Sequence, residues 1–267
     1  MDQGKERIKE LFFKNVYGLS PNIESYDKQH AGAKGHWLEK KLGKQPDAAN
    51  EADFWGYECK AHTNSKTSWG DWSPSEFIFD KGNSYQLTRD KFLQLFGKPN
   101  IKKNNRYSWS GEPIPKSPCK ISNFGQSMEV DKDLNVLIKY NFSKDQRVNK
   151  TEIVPTYFQI EGLILAKWYG YESNIKIKKN TRKSLETRIQ NKFNQKGWFK
   201  CIMKNNIYEK IIFGAPVNFE TWINYLKLGD IYFDSAMKQR NSRNYCTWRS
   251  DNSFWNKLVV EEFTKDS

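Results

Sequence analysis

Long apolar runs are missing from this 267-residue chain. No stretch approaches the roughly 20 apolar residues of a membrane-spanning helix, which excludes that class. The opening Met1-Asp-Gln-Gly-Lys-Glu-Arg7 is polar and lacks the apolar core of a secretory signal, so a cytoplasmic location is expected. Histidine is scarce: only His30, His36 and His62 occur. That weighs against a zinc hydrolase and against a histidine-dependent triad. The four cysteines, Cys59, Cys119, Cys201 and Cys246, are scattered and form no C-x-x-C pair. They fit neither a zinc site nor a disulfide framework, and free thiols in a reducing compartment are expected. No internal repeat is present.

Negative charge is also short. Forty-four Lys and Arg face 31 Asp and Glu, giving a net charge of +13 and a pI near 9.4. So basic a chain is expected to bind a polyanion. The excess is uneven: between Lys176 and Lys200 nine basic residues accompany one acid, Glu186. Lys98, Lys102, Lys103 and Arg106 form a second cluster. Such patches bind nucleic acid through counterion release, and the binding weakens steeply with salt. Aromatics make up 15% of residues, with ten Trp, enough for one large or two small cores.

The chemistry concentrates in Asp53-Phe-Trp-Gly-Tyr-Glu58-Cys-Lys60. In a strand Glu58 and Lys60 share one face while Tyr57 and Cys59 take the other. Asp53 lies beyond a turn that Gly56 permits, so its carboxylate can swing toward Glu58. Two carboxylates and an ammonium at one point could hold a divalent metal against a phosphodiester. Alone, a D-x4-E-x-K match more often marks a solvated strand with a surface Glu58–Lys60 pair. Glu39 shifts the balance. It lies in Lys34-Gly-His-Trp-Leu-Glu-Lys-Lys-Leu42, where Trp37, Leu38 and Leu42 fall on one side at helical spacing. Its plain alternative is a solvated glutamate pairing with Lys40 or Lys41. The polar segment Gln45–Ala52 turns the chain back toward this helix. His62, two residues past Lys60 on the same face, is a candidate to touch the site or DNA, and the polar-aromatic stretch 63–72 reads as a loop bordering the substrate cleft, with Lys66 a candidate phosphate contact.

Along the chain, periodicity predicts a helix over 1–17 with Ile8, Leu11, Phe12 and Val16 inward, and a loop over 18–35. A helix over 84–97 stops at Gly97, and 98–119 reads as an irregular loop folding around DNA. Met128–Asp131 and Leu134–Phe142 alternate as a hairpin. Thr156–Trp168 is mixed, either strand or helix, and the crowding of Ile160, Leu163, Ile164 and Ala166 favours helix; Leu185–Phe193 reads as a helix. A second hairpin joins Phe199–Met203 to Tyr208–Phe213 across Lys204-Asn-Asn-Ile207. Asn218 caps a helix through Leu228, and a strand runs over Asp230–Ala236.

Glu39, Asp53, Glu58 and Lys60 resemble the E…D-x4-E-x-K pattern of PD-(D/E)XK nucleases. More narrowly, the chain resembles the MvaI/BcnI group of type II restriction endonucleases, relatives of the nickase MutH. The similarity rests on Glu39 fourteen residues before Asp53, on Glu58-Cys-Lys60-Ala-His62, and on the segment from Gly229 to Phe254. It covers residues 30–62 and 206–260. Where that group carries histidines in its C-terminal loop, this chain has Trp248, Arg249 and Ser250.

The resemblance implies an α/β fold: a central mixed sheet flanked by helices, in one nuclease chain (1–267) of two lobes with DNA in the cleft between them. The catalytic lobe would span about 1–97 and the recognition lobe about 150–267. It implies Mg2+-dependent cleavage of double-stranded DNA at a short sequence, leaving a 5′-phosphate and a 3′-hydroxyl. Asp53 and Glu58 would coordinate magnesium, Lys60 would orient the attacking water, and Glu39 would hold a metal-bound water or a second ion. It further implies a monomer in a bacterial cytoplasm, beside a cognate DNA methyltransferase. Base reading would fall to residues 238–249, with Lys238, Arg240, Arg243, Trp248 and Arg249 as DNA contacts, because arginine pairs bidentately with guanine. The plain alternative for each arginine is a phosphate contact. Two rivals stand beside this reading: a MutH-like repair nickase or structure-specific endonuclease, and a non-catalytic DNA-binding protein.

Overall fold

The computed structural model describes residues 2–24, 32–45, 49–118, 120–175 and 183–265. Much of the basic run from Lys176 to Arg182, Cys119, and part of the turn after Gln45 lie outside the described residues. The chain divides into two compact units, one of residues 1–67, 188–219 and 251–267, the other of 68–187 and 220–250. Residues 68–97 thus fall in the second unit, and 188–219 and 251–267 in the first. No helix among the described residues is long and apolar enough to cross a membrane.

The first unit is built on a mixed four-stranded sheet, in the order Tyr57–Lys60, Gly197–Lys204, Ile207–Gly214, Val259–Phe263. The first two strands run parallel, with Glu58 opposite Trp198 and Lys60 opposite Lys200. The middle hairpin forms as its sequence predicts. Asn205 and Asn206 both take positive φ, at 52° and 63°, the left-handed pair that a tight two-residue hairpin turn requires. Asp2 caps the first helix, Gln3–Asn15, by accepting from the amides of Gly4 and Lys5. Ile8, Phe12 and Val16 from its inner face join Trp37 and Leu38 of helix Ala33–Lys41 in one core with Phe54, Tyr57, Phe199 and Phe213. Trp37 stacks flat on Tyr208, with ring centroids 5.7 Å apart. Burying each large side chain of this kind contributes roughly 1.5–3 kcal/mol, so the helix carrying Glu39 is held firmly to the sheet.

The second unit holds three sheets. One is antiparallel, in the order Glu76–Phe77, Leu163–Trp168, Val136–Asp145, Phe124–Val130. The segment Leu163–Trp168 is therefore a strand, where the sequence reading expected a helix over Thr156–Trp168. Gly162 takes φ +72°, which stops any helix there, and the clustered apolar residues pack between two partner strands. Residues 98–119, expected to be irregular, contain the short hairpin Lys98–Asn100 and Arg106–Trp109, to which Met237–Lys238 adds a third strand. The expected loop at 63–72 contains the strand Lys66–Asp71, with Thr67 and Trp69 inward. The expected helix before Gly97 forms over Arg89–Phe96, capped by Thr88. A β-carbon at Gly97 would lie 2.5 Å from the Ser108 carbonyl, so glycine is needed where helix and hairpin approach. The core is rich in tryptophan: Trp168 and Trp222 each lie 5.2 Å from Trp248, and Phe233 5.1 Å, between ring centroids.

Candidate active site

Phe54 and Tyr57 exchange both backbone hydrogen bonds, at 2.9 and 2.8 Å, around Trp55 and Gly56. These two central residues have φ of 46° and 90°, the left-handed pair of a type I′ turn. Gly56 meets the requirement freely; Trp55 meets it at a cost in strain. The reversal lays Asp53 against the strand that follows. Its Oδ2 accepts from the Cys59 amide at 2.9 Å, and its Oδ1 accepts from Lys44 Nζ at 2.8 Å.

Glu58 is 3% exposed, in contrast to the solvated strand face that was its plain alternative. Its Oε1 accepts from Lys60 Nζ and from Lys192 Nζ, both at 2.8 Å. Its Oε2 is buried and, among the described residues, has no hydrogen-bond partner. The Lys60 ammonium lies 4.9 Å from the centroid of the Phe193 ring. Lys192 and Phe193 come from the end of the helix Leu185–Lys192 and the residue after it. The site therefore gathers groups from four places: the helix of Glu39, the loop of Lys44, the turn and strand of Asp53 to Lys60, and the helix end at Lys192.

The charges feel one another. Burial, then the neighbouring charges of Asp53 and Glu58, push the Glu39 carboxyl up to about 7 against the pull of Lys44 and Lys192. Burial also raises Asp53, but the Lys44 hydrogen bond, the Lys192 charge and the Cys59 amide outweigh it and hold this carboxyl below its usual range. Burial lowers Lys60, and Lys192 adds repulsion, while Glu58 and Asp53 support its charge. Glu39, Asp53, Glu58 and Lys60 are thus brought together. Among the described residues no three His, Cys, Asp or Glu side chains gather closely enough to form a ready-made metal cage.

Sequence reasoning missed three lysines. Lys44 and Lys192 bond the two carboxylates directly. Lys200, 3% exposed beside Lys60, donates to Thr67 Oγ1 at 2.9 Å and Asn252 Oδ1 at 3.2 Å. Burial and then the Lys60 charge lower it to about 8. Asn252 also accepts from Thr67 and Thr63 and donates to the Thr63 carbonyl, tying down the chain that leaves the strand Tyr57–Lys60. Only the basic run 176–200 hinted at Lys192 and Lys200. His62 is turned to a neighbour: its Nδ1 accepts from the Met203 amide at 3.3 Å, which leaves it an acceptor and uncharged. Burial and the charges of Lys200 and Lys34 lower its pKa accordingly.

The residues expected to contact DNA fare unevenly. Arg240 is exposed with φ +67°, and Arg243, 65% exposed, pairs with Asp71 at 3.0 Å and lies 4.6 Å from the Tyr245 ring centroid. Arg249 pairs with Asp234 at 2.8 Å. Lys238 and Lys66 are half-buried on their strands. Trp248 is a correction: it is fully buried and cannot touch DNA. On the strand Cys246–Asp251, Cys246, Trp248 and Ser250 point inward, while Thr247 and Arg249 alternate to the other face.

With this geometry in place, similarity to known proteins is informative. The family model of the LlaMI restriction endonuclease matches residues 16–263. The type II restriction enzyme ScrFI of Lactococcus lactis subsp. cremoris is 42% identical over 271 residues, covering 98% of this chain and 99% of that protein. Among solved structures, the complex of restriction endonuclease MvaI with its cognate DNA substrate superposes with a TM-score of 0.61 at 14% identity, over 99% of both chains. That likeness establishes the mixed α/β restriction-endonuclease fold. The chain belongs to the LlaMI restriction endonuclease family, and by that membership is a site-specific deoxyribonuclease of type II.

Proposed function

We propose that the chain hydrolyses double-stranded DNA at a short specific sequence with magnesium held by Asp53 and Glu58, leaving a 5′-phosphate and a 3′-hydroxyl. The observation that carries this reading is the buried Glu58, paired with Lys60 and set beside Asp53, with one oxygen that has no hydrogen-bond partner among the described residues. An oxygen buried with an unused lone pair suits a hard cation, and both carboxylates supply the oxygen donors magnesium prefers. Magnesium keeps several waters and phosphate oxygens among its ligands, so two carboxylates suffice and no protein cage is needed. When bound, it supplies Lewis acidity to the phosphodiester.

The chain's own groups supply the rest. Lys60 orients the attacking water and offsets charge gathering on the phosphate. Lys192 fixes Glu58 by sharing its Oε1. Glu39, with its carboxyl near about 7, can take up a proton at neutral pH. A water oxygen bonds to phosphorus, the bond to O3′ breaks, and a proton ends on O3′. Arg240, Arg243 and Arg249, with Lys238 and Lys66, make the DNA contacts that read bases or hold phosphates. The enzyme acts as a monomer in the bacterial cytoplasm, alongside a methyltransferase modifying the same site.

Magnesium-dependent digestion of DNA of known sequence, with the fragment ends mapped, tests this reading. Asp53→Ala and Lys60→Ala should each lower cleavage by about 10³-fold or more, as expected for groups acting on the transition state, and leave DNA binding largely intact. Full activity in either variant would sink the assignment. Nicks confined to one strand or to mismatched DNA would favour the repair-nickase reading instead.

A further inference from the structure

The two carboxylates offer their four oxygens unequally. Asp53 Oδ2 is held by the Cys59 backbone amide, which a side chain cannot displace without distorting the strand. Glu58 Oε1 carries both Lys60 and Lys192, and Glu58 Oε2 is buried with no hydrogen-bond partner among the described residues. The remaining oxygen, Asp53 Oδ1, carries the Lys44 ammonium at 2.8 Å in a pair whose side chains are 21% and 15% exposed. An ion bound through one oxygen of each carboxylate would therefore use Glu58 Oε2, which carries no ammonium, and Asp53 Oδ1, which carries Lys44. A divalent cation and an ammonium on one carboxylate oxygen repel each other strongly where solvent screening is weak. Lys44 is not fixed by the sheet. It follows the helix Ala33–Lys41, past Gly43 at φ +90°, and its stem reaches Asp53 from a loop rather than from the sheet.

We propose that Lys44 is a resident counter-cation of the metal site, which a divalent ion must push off Asp53 Oδ1 in order to bind. This rests on the reading of Asp53 and Glu58 as metal ligands. Lys44 then sets the affinity for the ion and holds the Asp53 carboxylate in place until the ion arrives. Lys192 has a different role, because Glu58 can keep it on Oε1 while offering Oε2.

Binding of Mn2+ to the DNA-free, full-length chain, measured by isothermal titration calorimetry, separates the possibilities. Lys44→Gln should tighten Mn2+ binding roughly ten-fold, the equivalent of one charge-assisted hydrogen bond no longer opposing the ion. Lys44→Ser should do the same, and either variant suffices provided its melting curve shows a folded protein. Lys44→Arg, which keeps the pair, should bind as the parent does. Asp53→Asn should abolish binding in every background. If Asp53→Asn abolishes binding but Lys44→Gln and Lys44→Ser match the parent, the counter-cation role is wrong and the metal site stands. If Asp53→Asn binds Mn2+ as the parent does, the metal-site reading itself fails and this inference with it.

Discussion

The segments 53–60 and 238–249 both carry charged residues, and the structure treats them in opposite ways. In the first, Glu58 is buried and Asp53 half-buried, and lysines come to them from the same strand, from the loop before it and, with Lys192, from a helix 134 positions away. In the second, arginines stay at the surface and are matched by single acids, Arg243 by Asp71 and Arg249 by Asp234. Burial makes the first set interdependent: Glu39 is shifted by Asp53 and Glu58, and Lys60 by Lys192. The exposed arginines are loosely committed, since surface pairs of this kind are worth about 0–1 kcal/mol. They can exchange their acids for bases or phosphates at small cost. The contrast suits the proposed roles, since a cleaving centre needs fixed geometry whereas a reading surface needs side chains free to change partners.

The comparison can be pressed hardest at its buried end. Beyond the catalytic losses expected for Asp53→Ala and Lys60→Ala, Trp248→Ala should destabilise the protein by about 3–5 kcal/mol, the usual result of emptying an aromatic site in a core. Urea denaturation measures this, and the surviving folded fraction should keep its sequence preference. A relaxed preference with unchanged stability would return Trp248 to the DNA-reading set.

Next come the arginines. Loss of a base-reading arginine by substitution with Ala should cost about 1–3 kcal/mol of discrimination at one base pair, seen as cleavage at altered sites. A phosphate-contacting arginine should instead lower the salt dependence of DNA binding by about one unit of slope and leave the cut pattern alone. Applied to Arg240, Arg243 and Arg249, the two readouts sort each residue into one class. Three unchanged digestion patterns would remove 238–249 from sequence reading.

The smallest effect concerns Glu39. Its carboxyl is raised in the folded protein to about 7 from an ordinary 4.5. As pH climbs through 4.5 the unfolded chain releases this proton while the folded chain retains it. Stability is therefore greatest below that value and declines until the folded group ionises near 7. Glu39→Gln cannot ionise and escapes the decline. In EDTA the variant should match the parent near pH 4 and exceed it at pH 8 by on the order of 1 kcal/mol, a figure kept small because the group is partly solvated. Denaturation at the two pH values checks the sign, and an equal gap at both would mean that Glu39 is not ionising in this range.

What the sequence made legible was local. Glu58 and Lys60 share a strand face by alternation, Glu39 sits on a helix whose Trp37 and Leu38 face inward, and Asn205-Asn206 announces a hairpin. What stayed hidden depended on long-range packing. Lys192 reaches Glu58 across 134 positions of chain and Lys200 reaches Thr67 across 133, and no one-dimensional spacing records either meeting. The strand Leu163–Trp168 was misread because apolar residues crowded between two partner strands look like a buried helix. Trp248 is a different kind of miss. Its alternation with Thr247 and Arg249 was visible, but the resemblance assigned the whole stretch 238–249 to DNA contact.

The two-residue turn at Trp55-Gly56 carries one more consequence. Because Phe54 and Tyr57 close the loop directly on each other, the four residues between Asp53 and Glu58 are a length imposed by hairpin geometry. Adding or deleting one residue there would invert the facing of everything downstream on the strand, sending Glu58 and Lys60 into the apolar layer and Tyr57 and Cys59 out of it. The interval between the two acids is therefore a caliper: chains that keep it keep the same turn, and a chain with a different interval must build its reversal another way.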